Sequence, residues 1–480
     1  MENKICQNCK KEFAVTSEDF TFYESIKVPA PTHCPDCRSQ RRMAWLNERF
    51  LYPRKCDGSG KPIITIYNPE VPFPVYSREY WFSDAWDALT YGREYDPSRP
   101  FLEQFNELQK MVPRLQMWLV NSVNSDYSNY VVDSKDCYLC FTALGGNENC
   151  SYSGYLTQST QCLDCYLIHK CELCVGCVNC DTCYNLKCST NCKNCRDSWF
   201  LLDCNNCTNC VGCVGLRDKQ YCIFNDQFTK EEYIEKIKEL GLENRSNWAK
   251  IEEKVSEVAK PIPRRFMQGT KNQNVSGDYI SNSKDITAGY MVNDCEDGRY
   301  LYFTNNSKGL SDITVCTVSN ELLHECHAIP KNNYSIKFSE LCANGCRELE
   351  YCISCFSSSN LFGCVGLRGK EYCILNKQYT KEDYEKLRAE IVENMKKDGS
   401  YGEFFPMTMS PFPYNETLAQ EHFPLTENEA SSRGLTWRKW EKRTYAPAAD
   451  IFECQHRQEC GHPCIGAFRV IPQEKAILDQ

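Results

Sequence analysis

Cys171-Glu-Leu-Cys174-Val-Gly-Cys177-Val-Asn-Cys180-Asp-Thr-Cys183 places a cysteine at every third position of one continuous stretch. The chain has 35 cysteines in 480 residues, and over half of them lie between Cys137 and Cys222. Thiols at this density serve as metal ligands, as disulfide partners or as small apolar filler in a repetitive fold. The choice among these three roles determines what kind of protein this is.

A longer period is superimposed on the three-residue spacing. Cysteines recur at intervals of 21 residues, at Cys150, Cys171, Cys192 and Cys213. A fixed period of this length without helical periodicity predicts parallel β-helix-like solenoids with coils of about 21 residues, in which like residues stack on like at about 4.8 Å. Asparagines beside the cysteines suit tight corners with left-handed backbone, and they are Asn179, Asn191, Asn194, Asn205, Asn206 and Asn209.

The cysteine-rich block occurs twice. Gly212-Cys-Val-Gly-Leu-Arg217 returns as Gly363-Cys-Val-Gly-Leu-Arg368, 151 residues later. Each copy is followed by a helix-capping pattern, Thr229-Lys-Glu-Glu232 and Thr380-Lys-Glu-Asp383, in which aspartate is the weaker last residue. The sequence therefore predicts a mostly β protein with two solenoids, each closed by a helix.

Within the repeats, one set of cysteines has the spacing of a metal site. Cys171, Cys174, Cys192 and Cys195 read C-x2-C-x17-C-x2-C, which lies in the zinc-ribbon range. Bound metal and structural thiols both remain open for this quartet, with a redox role as a further alternative. In the second copy the candidate ligands are His324, His327, Cys342 and Cys346.

The N-terminus carries a stronger metal signal. Cys6-Gln-Asn-Cys9 and Cys34-Pro-Asp-Cys37 are two C-x-x-C turns that supply four soft ligands for tetrahedral zinc. We predict a short hairpin in the spacer from Phe13 to Val28 and a helix after Cys37. Four cysteines also hold iron–sulfur clusters, so the spacing alone leaves the metal open.

These residues resemble the family of probable treble-clef zinc ribbons. The resemblance rests on both C-x-x-C turns together with intervening residues, namely Phe13, Glu18, Phe22, Tyr23, Pro31, Pro35 and Arg38. It implies an N-terminal treble-clef zinc finger with zinc bound by Cys6, Cys9, Cys34 and Cys37. The C-terminus repeats half of this pattern, since Cys464-Ile-Gly-Ala-Phe468 mirrors Cys9-Lys-Lys-Glu-Phe13. It is either a truncated half finger or a metal site of its own, with candidate ligands Cys454, His456, Cys460, His462 and Cys464.

Charge and hydropathy bound the possible partners. The net charge is -9 and the pI about 5.5, so binding to a nucleic acid needs a local basic patch. A candidate follows the second cysteine turn, and the alternative for it is a solvated helix face; its residues are Arg38, Arg41, Arg42, Trp45 and Arg49. No apolar run approaches the length of a membrane span, and the start has no secretory leader, which predicts a cytoplasmic protein without a membrane partner.

The domain organisation follows from these patterns. The predicted segments are a treble-clef ribbon at 1–50, an aromatic-rich linking domain at 51–120, the first solenoid at 121–226, a helical connector at 227–270, the second solenoid at 271–377, a closing helix at 378–400, a Pro- and aromatic-rich segment at 401–445 and a partial Cys/His ribbon at 446–480.

Beyond the finger, the chain resembles a group of uncharacterised cysteine-rich bacterial proteins. The shared features are the segment from Tyr80 to Asp87, the duplicated Cys/Asn-rich repeats and the stretch Ser410-Pro-Phe-Pro-Tyr-Asn415. Some members carry a CaiB/BaiF-type CoA-transferase label, and no residues here support that activity. We predict a non-catalytic zinc-binding scaffold with an unknown protein or nucleic-acid partner. The alternatives are a nucleic-acid- or ribosome-associated finger protein, a metal store and, last, an enzyme.

Overall fold

The structure is a computed structural model that describes residues 1–317, 320–330, 332–439, 451–454 and 467–478. Its described chain is mostly β, with many parallel strands. It divides into two units, one made of residues 1–116 and 265–438 and the other of residues 117–264 and 439–480. No helix in the described ranges is long and apolar enough to cross a membrane.

The N-terminal part of the first unit consists of short antiparallel hairpins and short helices. Its elements are β1 (Glu2–Ile5), β2 (Glu12–Val15), α1 (Ser17–Ser25), α2 (Pro35–Met43), β3 (Tyr52–Lys55), β4 (Pro62–Thr65), β5 (Val75–Tyr76), α3 (Arg78–Trp81), α4 (Phe101–Gln109) and β6 (Arg114–Leu115), with a 3-10 turn at Ala88–Tyr91. Strands β1 and β2 pair around the first cysteine turn, and β3 pairs with β4.

One expectation for this part is wrong. The spacer between the cysteine turns contains the helix α1 instead of a hairpin. Thr16 caps this helix: its hydroxyl accepts from the Asp19 backbone N–H, and the Asp19 carboxylate accepts from the Thr16 N–H. Such a reciprocal capping box satisfies two donors that a helix start otherwise leaves open.

The first parallel region spans residues 119–227. Its strands are β7 (Leu119–Val120), β8 (Asn129–Val132), β9 (Phe141–Leu144), β10 (Gly154–Thr157), β11 (Tyr166–His169), β12 (Val178–Asp181), β13 (Tyr184–Lys187), β14 (Arg196–Trp199), β15 (Thr208–Val211), β16 (Gln220–Ile223) and β17 (Asp226–Gln227). They form two sheets, one of β7 to β12 and one of β13 to β17. Neighbours within each sheet pair in parallel, except that β17 folds back antiparallel on β16. Two helices follow, α5 (Lys230–Leu240) and α6 (Trp248–Ala259), around a 3-10 turn at Arg245–Asn247.

The second parallel region spans residues 269–378 in the first unit. Its strands are β18 (Gly269–Thr270), β19 (Gln273–Asp278), β20 (Ile280–Ser281), β21 (Lys284–Thr317), β22 (Asn320–Pro330), β23 (Tyr334–Lys337), β24 (Arg347–Glu350), β25 (Ser359–Phe362), β26 (Glu371–Ile374) and β27 (Lys377–Gln378). The helix α7 (Lys381–Asp398) follows an antiparallel β26–β27 hairpin, as α5 follows the β16–β17 hairpin.

The remaining elements lie toward the C-terminus. They are α8 (Leu418–His422), α9 (Glu427–Ser432), β28 (Ile451–Glu453), β29 (Ala467–Arg469) and α10 (Pro472–Leu478), with 3-10 turns at Met407–Met409 and Tyr414–Glu416. The two predicted capping residues, Thr229 and Thr380, are the N-caps of α5 and α7, and the Thr229–Glu232 box is reciprocal.

The expected coil length is wrong, because successive strands meet at a shorter step than the cysteine period. Parallel partners in the first region lie 12 apart in the chain, as do Gly154 and Tyr166, or 13 apart, as do Phe141 and Gly154. The shorter of these steps and the cysteine period are both multiples of three. A cysteine at every third position is therefore in phase with either one, and the cysteine spacing cannot distinguish the two.

The three-residue rhythm itself is a backbone feature. Every third residue from Gln158 to Gly176 has a positive φ, and the pattern continues through most of both parallel regions. Of the six predicted corner asparagines, all except Asn205 have this left-handed conformation. The amide of Asn185 donates to the Asp197 carboxylate one strand later at 2.8 Å, so polar side chains link successive corners.

The residue after most corners lies in the interior. In the first region this position is filled by cysteines exposed by 2 % or less, together with serines and a few aliphatic residues. The second region fills it with leucine, isoleucine and cysteine, and its core is continuous with residues of the N-terminal segment, including Phe22, Tyr23 and Trp45. The N-terminal segment is therefore packed on the second parallel region.

Candidate metal centre

The first pair of candidate ligands lies on the turn between β1 and β2. The backbone N–H of Cys6 donates to the Lys11 carbonyl at 2.9 Å, and the N–H of Lys10 donates to the Cys6 carbonyl at 3.0 Å. Lys10 has a φ of 62°, which closes the turn tightly. Cys6 and Cys9 thereby project their sulfurs to the same side of the turn.

The second pair lies at the start of α2. Cys34 is the N-cap of this helix, Pro35 occupies the first helical position, and Cys37 follows in the first turn. Proline suits that position because its missing N–H would have no partner there. The backbone N–H of Gln7 donates to the Thr32 carbonyl at 3.0 Å and holds the two cysteine turns together.

The four sulfurs converge on one point. The Sγ atoms of Cys6, Cys9, Cys34 and Cys37 all lie within 4.8 Å of one another, and those of Cys9 and Cys34 are 3.7 Å apart. A tetrahedral zinc site with Zn–S bonds of about 2.3 Å has an S–S edge of about 3.8 Å. The arrangement thus fits a Cys₄ zinc site.

Neighbouring donors favour the thiolate form of Cys6, whereas burial raises the pKa values of the Cys34 and Cys37 thiols. The Cys34 backbone N–H donates to the Cys6 sulfur at 3.2 Å, and the Asn8 side-chain amide donates to the Cys37 sulfur at 3.3 Å. Desolvation opposes ionisation of Cys6, but backbone donors, Cys34 first, outweigh it and lower the pKa of this thiol to about 6. A low thiol pKa assists zinc binding because the thiolate is the ligand.

The predicted quartet in the first parallel region is not brought together. The register of β-bridges places Glu172 beside Tyr184 and Val175 beside Lys187, so Cys171 and Cys174 lie beside Cys183 and Leu186 instead of Cys192 and Cys195. Within the ranges that the structure describes, the N-terminal set is the one group of three or more ligand atoms close enough for an ion.

The repeat thiols have backbone partners instead. The Cys171 thiol lies 3.4 Å from both the His169 and the Cys180 carbonyl oxygens, so it can donate to either. Neighbouring thiols repeat this pattern with the carbonyl two residues earlier. In the second region, burial raises the pKa of the Cys346 thiol to about 12. Buried thiols that donate to backbone carbonyls can pack as small apolar core residues.

The candidate histidines of the second copy are also packed separately. The His324 ring contacts Phe22, Tyr23 and Phe338 at centroid distances of 5.4 to 5.9 Å. His324 and His327 are fully buried, and no hydrogen-bond partner is present for their ring nitrogens in the described structure. Burial lowers the pKa of each to about 3, so both are neutral.

The candidate cysteines of the second copy donate to the backbone. The Cys342 thiol donates to the Glu340 carbonyl at 3.5 Å, and the Cys346 thiol donates to the Ala343 carbonyl at 3.2 Å. These thiols therefore follow the pattern of the first region.

The C-terminal candidates are mostly outside the described residues. Cys454 follows β28 and is half-buried. His456, Cys460, His462 and Cys464 lie outside the described ranges. Strands β28 and β29 pair antiparallel, as β1 and β2 do in the N-terminal finger.

The predicted basic patch is not an exposed surface. Arg38, Arg41 and Arg42 have side chains exposed by 1 to 8 %, and Trp45 is 1 % exposed. Arg49 is half-exposed and lies 3.4 Å from Glu421. The stacking tryptophan and three of the four arginines are therefore unavailable to a nucleic acid.

The arginines of α2 instead meet buried carboxylates. Nε of Arg38 lies 2.9 Å from Asp312, and Nη1 of Arg42 lies 3.2 Å from Glu325. Arg41 bridges two acids, with Glu325 at 2.8 Å and Glu403 at 2.7 Å. No signal in the sequence indicates these partners, because they lie far along the chain and single acids are common on surfaces.

Comparisons with known proteins support the N-terminal assignment. The family model for "Probable treble clef domain" matches residues 2–44, so this segment is a treble-clef domain. A search of curated proteins found no match. One solved structure, a "putative acetyltransferase" from Desulfovibrio desulfuricans G20, matches at 10% identity over 62% of this chain and 79% of its own, with a TM-score of 0.11. A score that low supports no conclusion about the fold or activity of this chain.

Proposed function

We propose that this protein is a non-catalytic scaffold in which a zinc-bound treble clef fastens the N-terminus to a parallel β solenoid. The single observation that carries the proposal is the buried ion-pair network that joins α2 to the second parallel region and to the segment after α7. Three arginines of the finger helix meet Asp312, Glu325 and Glu403 at 2.7 to 3.2 Å. Because the finger helix forms its ion pairs with acids of the same chain, the finger has a structural role in this proposal.

The role of zinc in this proposal is structural. A segment of about 40 residues buries too little apolar surface to fold securely without a metal or a partner. The ion would fix the start of α2 through Cys34 and Cys37. Because the three arginines follow within the same helix, zinc sets the position of the whole network.

The scaffold surface in the proposal comes from the parallel regions. Strands that pair in parallel with their chain neighbours at short, nearly constant steps, with a corner at every third residue, support a narrow solenoid. The hairpin and helix after each copy would cover its last strand, which solenoids require at their ends. Such a solenoid would offer an elongated surface to a protein partner.

The thiols support a reducing compartment for this scaffold. Every cysteine from Cys137 to Cys222 is free of a disulfide, and all of them except Cys188 are buried. Dense unpaired thiols persist where glutathione keeps them reduced, so we propose a cytoplasmic location.

The proposal is tested by native mass spectrometry and hydrogen exchange on the full chain. We expect tightly bound zinc that is lost in the variant Cys34→Ser. The same variant should exchange faster in α2 and in residues 309–317 and 320–327, which contain Asp312 and Glu325. The matched control is Cys56→Ser, which changes a buried cysteine of another β turn and should keep the zinc.

Iron-containing, coloured protein would overturn the zinc assignment. A Cys34→Ser protein whose exchange in residues 309–317 and 320–327 matches that of the natural protein would overturn the fastening role. RNA binding that weakens with salt, and is lost in Arg49→Glu, would favour the nucleic-acid alternative instead.

A further inference from the structure

The segment from β3 to α3 has the backbone frame of a second cysteine knuckle. The backbone N–H of Cys56 donates to the Lys61 carbonyl at 2.8 Å, and the N–H of Gly60 donates to the Cys56 carbonyl at 2.8 Å. These bonds reproduce, further along the chain, the Cys6–Lys11 and Lys10–Cys6 bonds of the zinc finger, at 2.9 and 3.0 Å. Gly60 has a φ of 72°, close to the 62° of Lys10.

The match extends to the strand that precedes the helix. The N–H of Asp57 donates to the Val75 carbonyl at 3.0 Å, as the N–H of Gln7 donates to the Thr32 carbonyl at 3.0 Å. Each acceptor lies two residues before the N-cap of the following helix. That N-cap is Ser77 in the one case and Cys34 in the other.

The helix start and its contact with the knuckle sulfur also correspond. The Ser77 backbone N–H donates to the Cys56 sulfur at 3.2 Å, and the Cys34 N–H donates to the Cys6 sulfur at the same distance. The Trp81 N–H donates to the Ser77 carbonyl, as the Arg38 N–H donates to the Cys34 carbonyl. Cys56 and Ser77 therefore occupy the positions of Cys6 and Cys34.

The ligands themselves have been replaced. By the same correspondence Ser59 stands for Cys9, and Tyr80 stands for Cys37. The Tyr80 ring lies against Gly58, where an added Cβ would come within 2.1 to 2.6 Å of three ring atoms. Asn8, the counterpart of Gly58, donates to the Cys37 sulfur. The tyrosine ring thus fills the space that in the first knuckle is occupied by the Cys37 sulfur and would be occupied by its ion.

We propose that residues 52–81 form a second knuckle of the treble-clef type, in which the packed side chain of Tyr80 and its neighbours fill the place of the metal ion. The frame is retained because its backbone hydrogen bonds do not need the ion. Packing supplies the rest: Tyr80 contacts Tyr76 at 4.8 Å between centroids, Tyr76 contacts Trp86, and Trp81 is fully buried. The chain therefore holds metal at the first of two equivalent knuckles and needs none at the second.

The test is to restore the missing ligands. The variant Ser59→Cys/Ser77→Cys/Tyr80→Cys, with the natural Cys56, presents four thiols on the second frame. We expect native mass spectrometry to count one more zinc than in the natural protein, and cobalt substitution to add tetrahedral thiolate absorption. Adding Cys56→Ser to the variant removes one ligand and should weaken the second site by at least tenfold in competition with a chelator.

Two results would overturn the inference. One is a folded triple variant, judged by its far-UV circular dichroism, that binds no additional zinc. The other is natural protein that loses a zinc on Cys56→Ser, since the second knuckle would then already hold metal. If the triple variant does not fold, the zinc count of Cys56→Ser still decides, because that variant changes one residue of the natural protein. An unchanged zinc count in Cys56→Ser, with loss of zinc in Cys34→Ser, supports the inference that the second knuckle holds no metal.

Discussion

The two parallel regions share a backbone rhythm and differ in what fills and covers it. The first region has an interior dominated by thiols, with cysteines exposed by 2 % or less. The second has leucine, isoleucine and phenylalanine among its cysteines, and part of its outer face lies beneath the treble clef. A backbone with a corner at every third residue is therefore compatible with an interior of thiols and with one of larger apolar side chains. Buried charged groups occur where the treble clef packs on the outer face.

The covered region also carries buried ionisable groups of a kind that the described core of the thiol-filled region does not contain. Asp312, Glu325, His324 and His327 are all at 0 % exposure in the second region. Asp312 and Glu325 stand at corners with positive φ, where they meet the arginines of the finger helix. The comparison predicts that the stability of the second region depends on the treble clef packed against it. The stability of the first region should depend on the packing of its own interior.

The largest expected effect comes from removing one buried acid. Asp312→Ala leaves Arg38 and Arg42 without that carboxylate, and breaking a buried pair in this way costs about 3–5 kcal/mol. Chemical denaturation should show the loss in the first unit. The control Glu421→Ala removes the exposed partner of Arg49 and should cost less than about 1 kcal/mol. Equal losses in the two variants would show that burial of the network does not matter.

Acid should weaken the covered region next. The pKa values of His324 and His327 are lowered by burial to about 3, so the unfolded chain binds their protons first as the pH falls below about 6.5. Their contribution is complete at neutral pH and is lost from about pH 6.5 down to pH 3, by roughly 2 kcal/mol for each histidine at pH 5.

The groups that face these histidines set the details of this profile. Arg38 and Arg42 oppose protonation of His324 while Asp312 and Glu403 favour it, and Arg42 opposes protonation of His327. Denaturation at pH 5 and pH 8 measures the effect, and His327→Leu should flatten the profile by its share. If the pH dependence of stability is the same in His327→Leu as in the natural protein, buried His327 does not contribute to acid destabilisation.

One further buried acid must be separated from this effect. The pKa of Glu340 is raised by burial to about 7, so this group contributes to the pH profile with the opposite sign. It is unchanged in His327→Leu, so the difference between that variant and the natural protein isolates the histidine.

A single thiol of the first region should matter less. Cys171→Ala removes one buried sulfur and its hydrogen bond, with an expected cost of about 1 kcal/mol. The zinc count should remain that of the natural protein, because the described thiols there form no ligand group. Loss of a metal ion from this variant would support the predicted metal site in the repeats. It would contradict the view that the thiols of the first region are structural.

An effect no larger than this is expected at the exposed corners. Asn185 has a φ of 51° and donates to Asp197 at 2.8 Å. Asn185→Ala loses both the tolerance for left-handed backbone and the hydrogen bond, at a cost of about 1 kcal/mol. Asn185→Gly keeps the first and should cost less. If thermal denaturation shows Asn185→Ala to be more stable than Asn185→Gly, the left-handed backbone at this corner does not determine stability.

The sequence was informative wherever one residue type is required by local geometry. C-x-x-C turns, threonine caps and asparagine corners each act over a few neighbouring residues, so Cys34, Thr229 and Asn191 could be interpreted from their surroundings. The duplication was visible as well, because it repeats a string of residues. Coil length was not visible, since a motif of three residues is in phase with any multiple of three.

The sequence by itself therefore determined the four clustered cysteines of the treble clef, the mostly β character, the inward thiols and the helices that follow each copy. Tertiary structure decided that successive strands meet at a shorter step than the cysteine period, that the arginines of α2 are buried, and that Tyr80 fills a knuckle. The physical reason is range. Caps, turns and chelating pairs are satisfied by near neighbours in the chain, whereas ion pairs such as Arg38–Asp312 exist after distant segments have packed and excluded water between them.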